Sequence, residues 1–397
     1  MIVSDMIAST ILMRAAICLL ASLGLLALLS PEAASAEGAD EKTLRLAIAG
    51  LVHGHVEGFL RAAKSRPGVE IVGVADPDPA LDRKYAQRYG LPDATFFTDL
   101  ETMLDRVKPE AVASFTSTYD HPRVVEACAR RRIPVMMEKP LAVSVEHARA
   151  IQRAAESGGI PVIVNYETTW YRSHGALWRL IKEERAAGDI RKIVAMDGHQ
   201  GPKEIGVQEE FFGWLTDPVK NGAGALYDFG CYGANLMTWL MDGQRPLAVS
   251  AMTQRIKPHI YPRVDDEATV LVEYEKAQGI IQASWNWPFG RKDLDVYGET
   301  GCARAVGGSV LRVRRPGLAE EEAVTPAELP ADERDSISYL AAVVRGRLKP
   351  AGLSSLENNL VVTEILEAAR ESAASGKTIR LAPRQARAGS RCRPVSR

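Results

Sequence analysis

Between residues 44 and 165 of the chain, apolar runs alternate with amphipathic stretches. Leu44-Arg45-Leu46-Ala47-Ile48-Ala49-Gly50 reads as a strand entering a turn. A helical pattern over 56–65 is broken by Pro67-Gly68, and 69–75 is a second strand ending at Asp76. Helices over 79–89, 100–106, 122–131 and 145–157 then alternate with strands at 95–97, 111–116, 134–137 and 161–165. Strands alternating with helices at this spacing predict a parallel sheet wound on both faces.

The pattern changes after about residue 190. Segments 190–199, 247–257, 267–275, 279–287 and 292–298 are β-rich and closely spaced, which predicts a large, mostly antiparallel sheet. Helices at 173–184 and 228–241 are expected to pack on it. A last helix over 355–375 ends at Gly376 and is followed by a short strand, 378–381. The fold class is therefore α/β: a doubly wound parallel sheet over 43–166, then a second domain over 167–383 whose last helix can pack back on the first.

The two ends read differently. Met13-Arg14, the apolar stretch 15–29 and the small-residue run ending Ala34-Ser35-Ala36 have the layout of a secretory signal over residues 1–36. The stretch is short for a membrane span. The expected location is periplasmic or secreted, with no membrane contact after cleavage. Residues 384–397 are basic and read as a disordered tail.

Composition adds exclusions. Lys+Arg number 49 against 50 Asp+Glu, and losing residues 1–36 removes Arg14, Asp5 and Glu32, which leaves the charges balanced. No basic field argues for nucleic acid. Cys128, Cys231, Cys302 and Cys392 show no Cys-x-x-Cys spacing, and no metal site is read from the sequence. Cys128 and Cys231 are expected as buried thiols.

Candidate chemistry sits at two places. Glu138-Lys139-Pro140 closes the apolar strand Ile133-Pro134-Val135-Met136-Met137, at the edge where open α/β sheets hold ligands. Gly224-Ala225-Leu226-Tyr227-Asp228-Phe229-Gly230-Cys231-Tyr232 opens a helix with Asp228 and Tyr232 four residues apart on one face. An ammonium, a carboxylate and a phenol suit proton transfer at a sugar hydroxyl. Lys139 would orient the hydroxyl and polarise the nascent carbonyl, Asp228 would orient the substrate or tune its neighbours, and Tyr232 would be the acid/base, its phenol lowered by the ammonium. The plainer readings are a surface lysine, a helix cap and a core tyrosine.

Gly50-Leu51-Val52-His53-Gly54-His55 lies where a dinucleotide fingerprint belongs, but Val52 and His55 stand where glycines are usual. His53 and His55 could donate to phosphate at the helix N-terminus. Asp76 would accept from the adenosine ribose and repel a 2′-phosphate, which favours NAD over NADP.

With these motifs the chain, from about Leu44 to Leu381, resembles the glucose–fructose oxidoreductase / inositol dehydrogenase (Gfo/Idh/MocA) family. Thr116-Ser117-Thr118, His121 and Val296-Tyr297-Gly298-Glu299-Thr300-Gly301 also match, as does the closing helix with Glu371-Ser372-Ala373 and Gly376. The resemblance implies a Rossmann domain, a nicotinamide cofactor, tightly held in some members, and homo-oligomers joined through the open sheet. It implies that Lys139 and Asp228 are catalytic, that Thr116, Ser117 and Glu138 lie beside the cofactor, and that His121 lies near the nicotinamide or the substrate. Tyr232 replaces the family's usual His, as in the glucose–fructose oxidoreductase branch.

Trp170-Tyr171-Arg172 is the candidate wall for a small-molecule, sugar-like substrate. Lys203–Trp214 is the candidate lid, and Trp285 and Trp287 are read as packing on one sheet face. The leading expectation is an exported NAD-dependent sugar oxidoreductase. The alternatives are a glycoside hydrolase using transient oxidation and a non-catalytic sugar- or partner-binding protein.

Overall fold

The structure, a computed structural model, describes residues 42–381. The expected signal over 1–36 and the basic tail over 384–397 lie outside the described residues.

Two sheets organise the chain. In the first, β1 (Leu44–Ala49) lies between β2 (Val69–Ala75) and β4 (Ala111–Ser114). Beyond them stand β3 (Phe96–Phe97), β5 (Val135–Glu138) and β6 (Val162–Asn165). The order is β3-β2-β1-β4-β5-β6 and every pairing is parallel. The crossovers are α1 (Val56–Ser65), α2 (Pro79–Tyr89), α3 (Leu100–Val107), α4 (His121–Ala129) and α5 (Val145–Gly158). Local sequence sets these helices. In α1, Val56, Phe59, Leu60 and Ala63 recur at helical spacing and are buried. Asp78 caps α2 by accepting from the Ala80 N–H, and Pro79 occupies its first turn.

After α6 (Arg172–Trp178) the chain enters a nine-stranded sheet. It contains β7 (Ile190–Gly198), β8 (Ala248–Gln254), β9 (Glu267–Glu273), β10 (Gln278–Ser284), β11 (Arg291–Gly298), β12 (Cys302–Val306), β13 (Val310–Arg314), β14 (Glu322–Val324) and β15 (Ile379–Arg380). Only β7 and β10 pair in parallel; the other pairings are antiparallel. The hairpins β12–β14 were not anticipated. Their short, alternating Arg/Val stretches carry little apolar signal.

The helices of this half are α7 (Glu209–Leu215), α8 (Ala225–Asp228) and α9 (Gly230–Leu240); α10 (Ser336–Val344) packs on the first sheet, where Ile337 and Leu340 join Leu46 and Ile48 in one core, and α11 (Leu356–Ser375) follows. One face of the large sheet, including Ile193, Ala195, Ile281 and Leu294, is buried under helices that include α9. α11 packs on β8 and α9 and also on α5 of the first half, where Arg149 pairs with Glu364. Among the described residues Cys128, Cys231 and Cys302 are free, buried thiols.

Candidate active site

The expected helix over 228–241 is interrupted. α8 ends at Asp228 and α9 starts at Gly230, with Phe229 between them at φ −107° and ψ −32°. The Asp265 carboxylate holds the start of α8, accepting from the N–H groups of Gly224 (2.9 Å) and Leu226 (2.7 Å). A β-carbon at residue 224 would collide with the Asp265 carbonyl oxygen, so only glycine allows this approach.

The break aims Asp228 at Lys139, which follows directly on β5. Lys139 Nζ donates to Asp228 Oδ1 at 2.5 Å and to the Asp228 carbonyl at 3.1 Å. The other carboxylate oxygen accepts from the Trp285 indole N–H at 2.9 Å. Both charged side chains are about 95% removed from solvent, 5% and 6% exposed. Burial alone would push Lys139 down and Asp228 up. The mutual attraction of the pair more than reverses this, so Lys139 is held above its ordinary value and Asp228 below. Two of the three ammonium protons are thus engaged, and the third remains for a ligand.

That ligand would enter a cavity of about 240 Å³, lined by Lys139, Asp228, Tyr232, His199, Lys292 and Phe211 among others. Lys139 and Lys292 each stand 5.1 Å from the Tyr232 ring centre. Lys292 is paired with Glu167 at 2.6 Å, which also accepts from the Tyr171 hydroxyl at 2.5 Å. Tyr232 therefore presents its ring face to the cations. Burial, with Glu167, Cys231 and Asp228 adding to it, raises its phenol well above the ordinary value. The expectation of a lowered phenol is corrected, because desolvation and nearby negative groups outweigh the ammonium.

The predicted substrate wall divides. Trp170 donates its indole N–H to Asn165 (3.0 Å) and lines a second cavity of about 490 Å³ with His55, Glu138, Asn165 and Glu167. Tyr171 borders a third, of about 410 Å³, with Lys292 and His199. Arg172 pairs with Glu328 and lines none of the three. Trp285 and Trp287 do not share a strand face, since β10 ends at Ser284; Trp285 is fully buried and Trp287 stacks with Arg291.

The coenzyme edge differs most from expectation. Gly50 has φ +85°, as a tight turn after β1 requires. The Asp76 carboxylate accepts from the N–H groups of Leu51 (2.7 Å) and Asp78 (2.9 Å), and its burial raises it above the usual carboxylate value. Helix α7, in the segment expected as a substrate-side lid, lies across this edge. The Trp214 indole donates to the Val52 carbonyl at 3.1 Å, and the Phe211 and Trp214 rings pack on His53 at 4.6 and 5.4 Å. A β-carbon at Gly54 would meet Gln208 and Phe211 at 2.7 and 2.8 Å. Glu210 reaches Lys84 on α2, and the Tyr119 N–H donates to the Lys220 carbonyl. Asp76, Ser117, His121 and His53 are all buried, and Thr116 is half-buried. The His121 Nδ1 atom faces the Leu141 carbonyl at 3.0 Å. Gly50 and Asp76 provide groups suited to a dinucleotide, but with α7 seated the groove does not fit one.

His55 and Glu138 lie on the open side of α7. His55 Nδ1 stands 3.0 Å from Glu138 Oε2, and Glu138 Oε1 accepts from Asn165 Nδ2 at 2.7 Å. Sequence reasoning missed Asn165, Glu167, His199, Trp285 and Lys292.

Comparison with known proteins gives this arrangement its class. The family described as an oxidoreductase family with an NAD-binding Rossmann fold matches residues 44–166, and the GFO/IDH/MocA C-terminal domain matches 176–304. The chain belongs to the Gfo/Idh/MocA family of oxidoreductases. It is similar to the D-apiose dehydrogenase of Rhizobium rhizogenes, at 24% identity over 81% of this chain and 92% of that protein. The D-apiose dehydrogenase of Paraburkholderia graminis is 24% identical over 83% of this chain and 88% of its own length. Among solved structures, the aldose–aldose oxidoreductase of Caulobacter crescentus superposes with a TM-score of 0.71 at 20% identity, covering 86% of this chain and all of that one. An inositol dehydrogenase homologue of Azotobacter vinelandii complexed with NAD+ gives 0.72 at 18% identity, covering 86% and 98%.

Proposed function

We propose that the protein is an exported oxidoreductase that moves a hydride between a hydroxyl-bearing carbon of a sugar or sugar derivative and a nicotinamide dinucleotide, NAD rather than NADP. The observation that carries this reading is the buried Lys139–Asp228–Trp285 cluster at the floor of a cavity beside the carboxyl edge of the parallel sheet. In the reducing direction the remaining Lys139 proton passes to the substrate oxygen as hydride reaches its carbon; in the oxidising direction the hydroxyl proton goes to the Lys139 amine. Lys292 adds a second positive charge lining the same cavity. Negative charge growing on that oxygen is stabilised by two ammoniums in a poorly hydrated cavity. Asp228 keeps Lys139 charged and fixed; Tyr232 is a platform beneath both cations. Asp76 favours NAD by repelling a 2′-phosphate. This reading requires α7 to leave the groove. A homo-oligomer through the open sheet is supported by Met252, Leu271, Tyr297, Val306 and Val310, exposed on its uncovered face.

One observation favours a second reading. Because α7 covers the dinucleotide edge, a sugar- or partner-binding protein on a retained dehydrogenase fold accounts for the closed groove. Mass spectrometry of gently purified protein, followed by NADH formation over a sugar panel with added NAD, tests the first against the second. Bound or bindable nucleotide with turnover is expected. No nucleotide, no binding of added NAD and no turnover would overturn the first reading.

A further inference from the structure

The positions where the glycine fingerprint fails are chemically specific. Val52 is inert, but His53 and His55 bring two imidazoles to one turn, and Glu138 arrives from the end of β5, 83 residues away. One ring nitrogen of each histidine and one Glu138 oxygen all lie within 4.8 Å of one another. We propose that His53, His55 and Glu138 form a binding site for a divalent transition-metal ion of the zinc, iron or manganese class, set between the two ligand cavities.

Four observations carry this. First, the donor set is right: two imidazoles and a carboxylate select transition metals over magnesium or calcium and leave coordination positions open. Second, the spacing is nearly right. Ligand bonds of about 2.0–2.2 Å put neighbouring ligand atoms roughly 3.0–3.5 Å apart. The His55–Glu138 pair already stands at 3.0 Å, and the His53 nitrogen, within 4.8 Å of the other two atoms, would move inward by about 1 Å to complete the set. The cost is the long 3.2 Å bond from the His55 N–H to His53 Nδ1.

Third, an outer layer orients the ligands. The Trp170 indole donates to Asn165 Oδ1, and Asn165 Nδ2 donates to Glu138 Oε1, which leaves Oε2 turned to His55. Such a chain is typical of metal-ligating carboxylates. Fourth, there is room. His55 is 44% exposed and borders both the 240 Å³ and the 490 Å³ cavities, so open positions would face a polyhydroxyl ligand. The nearby Lys139 charge is paired with Asp228, which partly offsets its repulsion of a cation at His53.

The site uses His53, His55 and Glu138 of the edge expected to hold the coenzyme, but its test does not depend on the hydride reading. Untagged full-length protein is stripped with chelator and titrated with Zn²⁺, Mn²⁺ or Co²⁺ alone, with calorimetry, elemental analysis and the visible spectrum of the Co²⁺ form as readouts. About one ion per chain is expected, with nitrogen-ligated cobalt bands. His55→Ala, at an exposed position, should weaken binding at least about tenfold with apo-protein melting unchanged, and Glu138→Gln should do the same. His147→Ala, away from the site, should bind as wild type. Substoichiometric metal in the wild type, or undiminished affinity in His55→Ala, overturns the site. Nucleotide content measured on the same samples separates this outcome from failure of the dehydrogenase reading.

Discussion

The substrate side and the coenzyme side of the cleft are built on adjacent strand ends, yet they differ in kind. The substrate side has a cavity, two lysines, a buried carboxylate and space for a ligand. The coenzyme side has most of its expected contact residues buried, with a seven-residue helix of the same chain seated on His53 and the β1 turn. One half of the family's machinery is ready to receive a ligand, while the other half is covered. The lesson is that a polar cluster and the space it serves are set separately. Lys139 and Asp228 hold each other in place whatever lies above, whereas the dinucleotide edge is vacant only if the 207–221 segment lets it be.

The largest expected effect is at Lys139. Lys139→Ala should reduce turnover across a sugar panel by about 10²–10⁴-fold, because it removes the charge facing the developing oxyanion. It should also destabilise the fold by roughly 3–5 kcal/mol, since Asp228 is left buried and unpaired. Steady-state kinetics at a temperature well below melting separates the two. Unchanged turnover would break the substrate half of the comparison.

Next comes the double substitution Phe211→Ala with Trp214→Ala, which strips the contacts of α7 on the β1 turn. Nicotinamide dinucleotide affinity, read by fluorescence titration, should rise at least about tenfold, or roughly 1.4 kcal/mol. Equal or weaker binding would mean that α7 is not what limits the groove.

A smaller effect is expected for Tyr232→Phe. With its phenol raised by burial and its ring face toward both lysines, the hydroxyl proton is not needed, and turnover should fall less than about tenfold. A loss near that of Lys139→Ala would return the acid/base role to Tyr232.

The smallest effect is in acid stability. Burial lowers His53, His121, His174 and His199, with His174 held at about 4. Unfolded imidazoles titrate near 6.5, so below that pH the unfolded chain binds more protons and stability falls as pH drops. The Lys139–Asp228 pair adds no slope in this window. The lowered Asp228 loses its contribution only as pH falls through the acid range below about 4, and the raised Lys139 only above about 10.5. Melting temperature should decline from pH 6.5 towards 4, and His174→Phe should reduce the slope. A flat profile would show that these imidazoles are not held neutral.

Much of the fold was legible because its signals are local. Alternating apolar strands and capped helices announced the parallel sheet, and Gly224 and Gly376 marked turns that only glycine or a left-handed cap allows. Lys139 and Asp228 were legible as motifs. Trp285, Lys292 and Glu167 were not, because each joins the site from a different strand or turn, and nothing in their neighbours distinguishes them from packing or surface residues. His53 and His55 were visible as departures from a glycine pattern, but they were read as phosphate donors because Glu138 comes from a distant strand.

The sequence by itself determined the class of the fold, the family, and the presence of an amine and a carboxylate at two strand and helix ends, since periodicity and short motifs act over a few residues. Only the tertiary structure decided that α7 rests on the β1 turn, that the Tyr232 ring underlies two ammoniums, and that two imidazoles meet a carboxylate beside Lys139. Those outcomes depend on which surfaces exclude water from one another, and that is settled only when segments far apart in the chain are packed together.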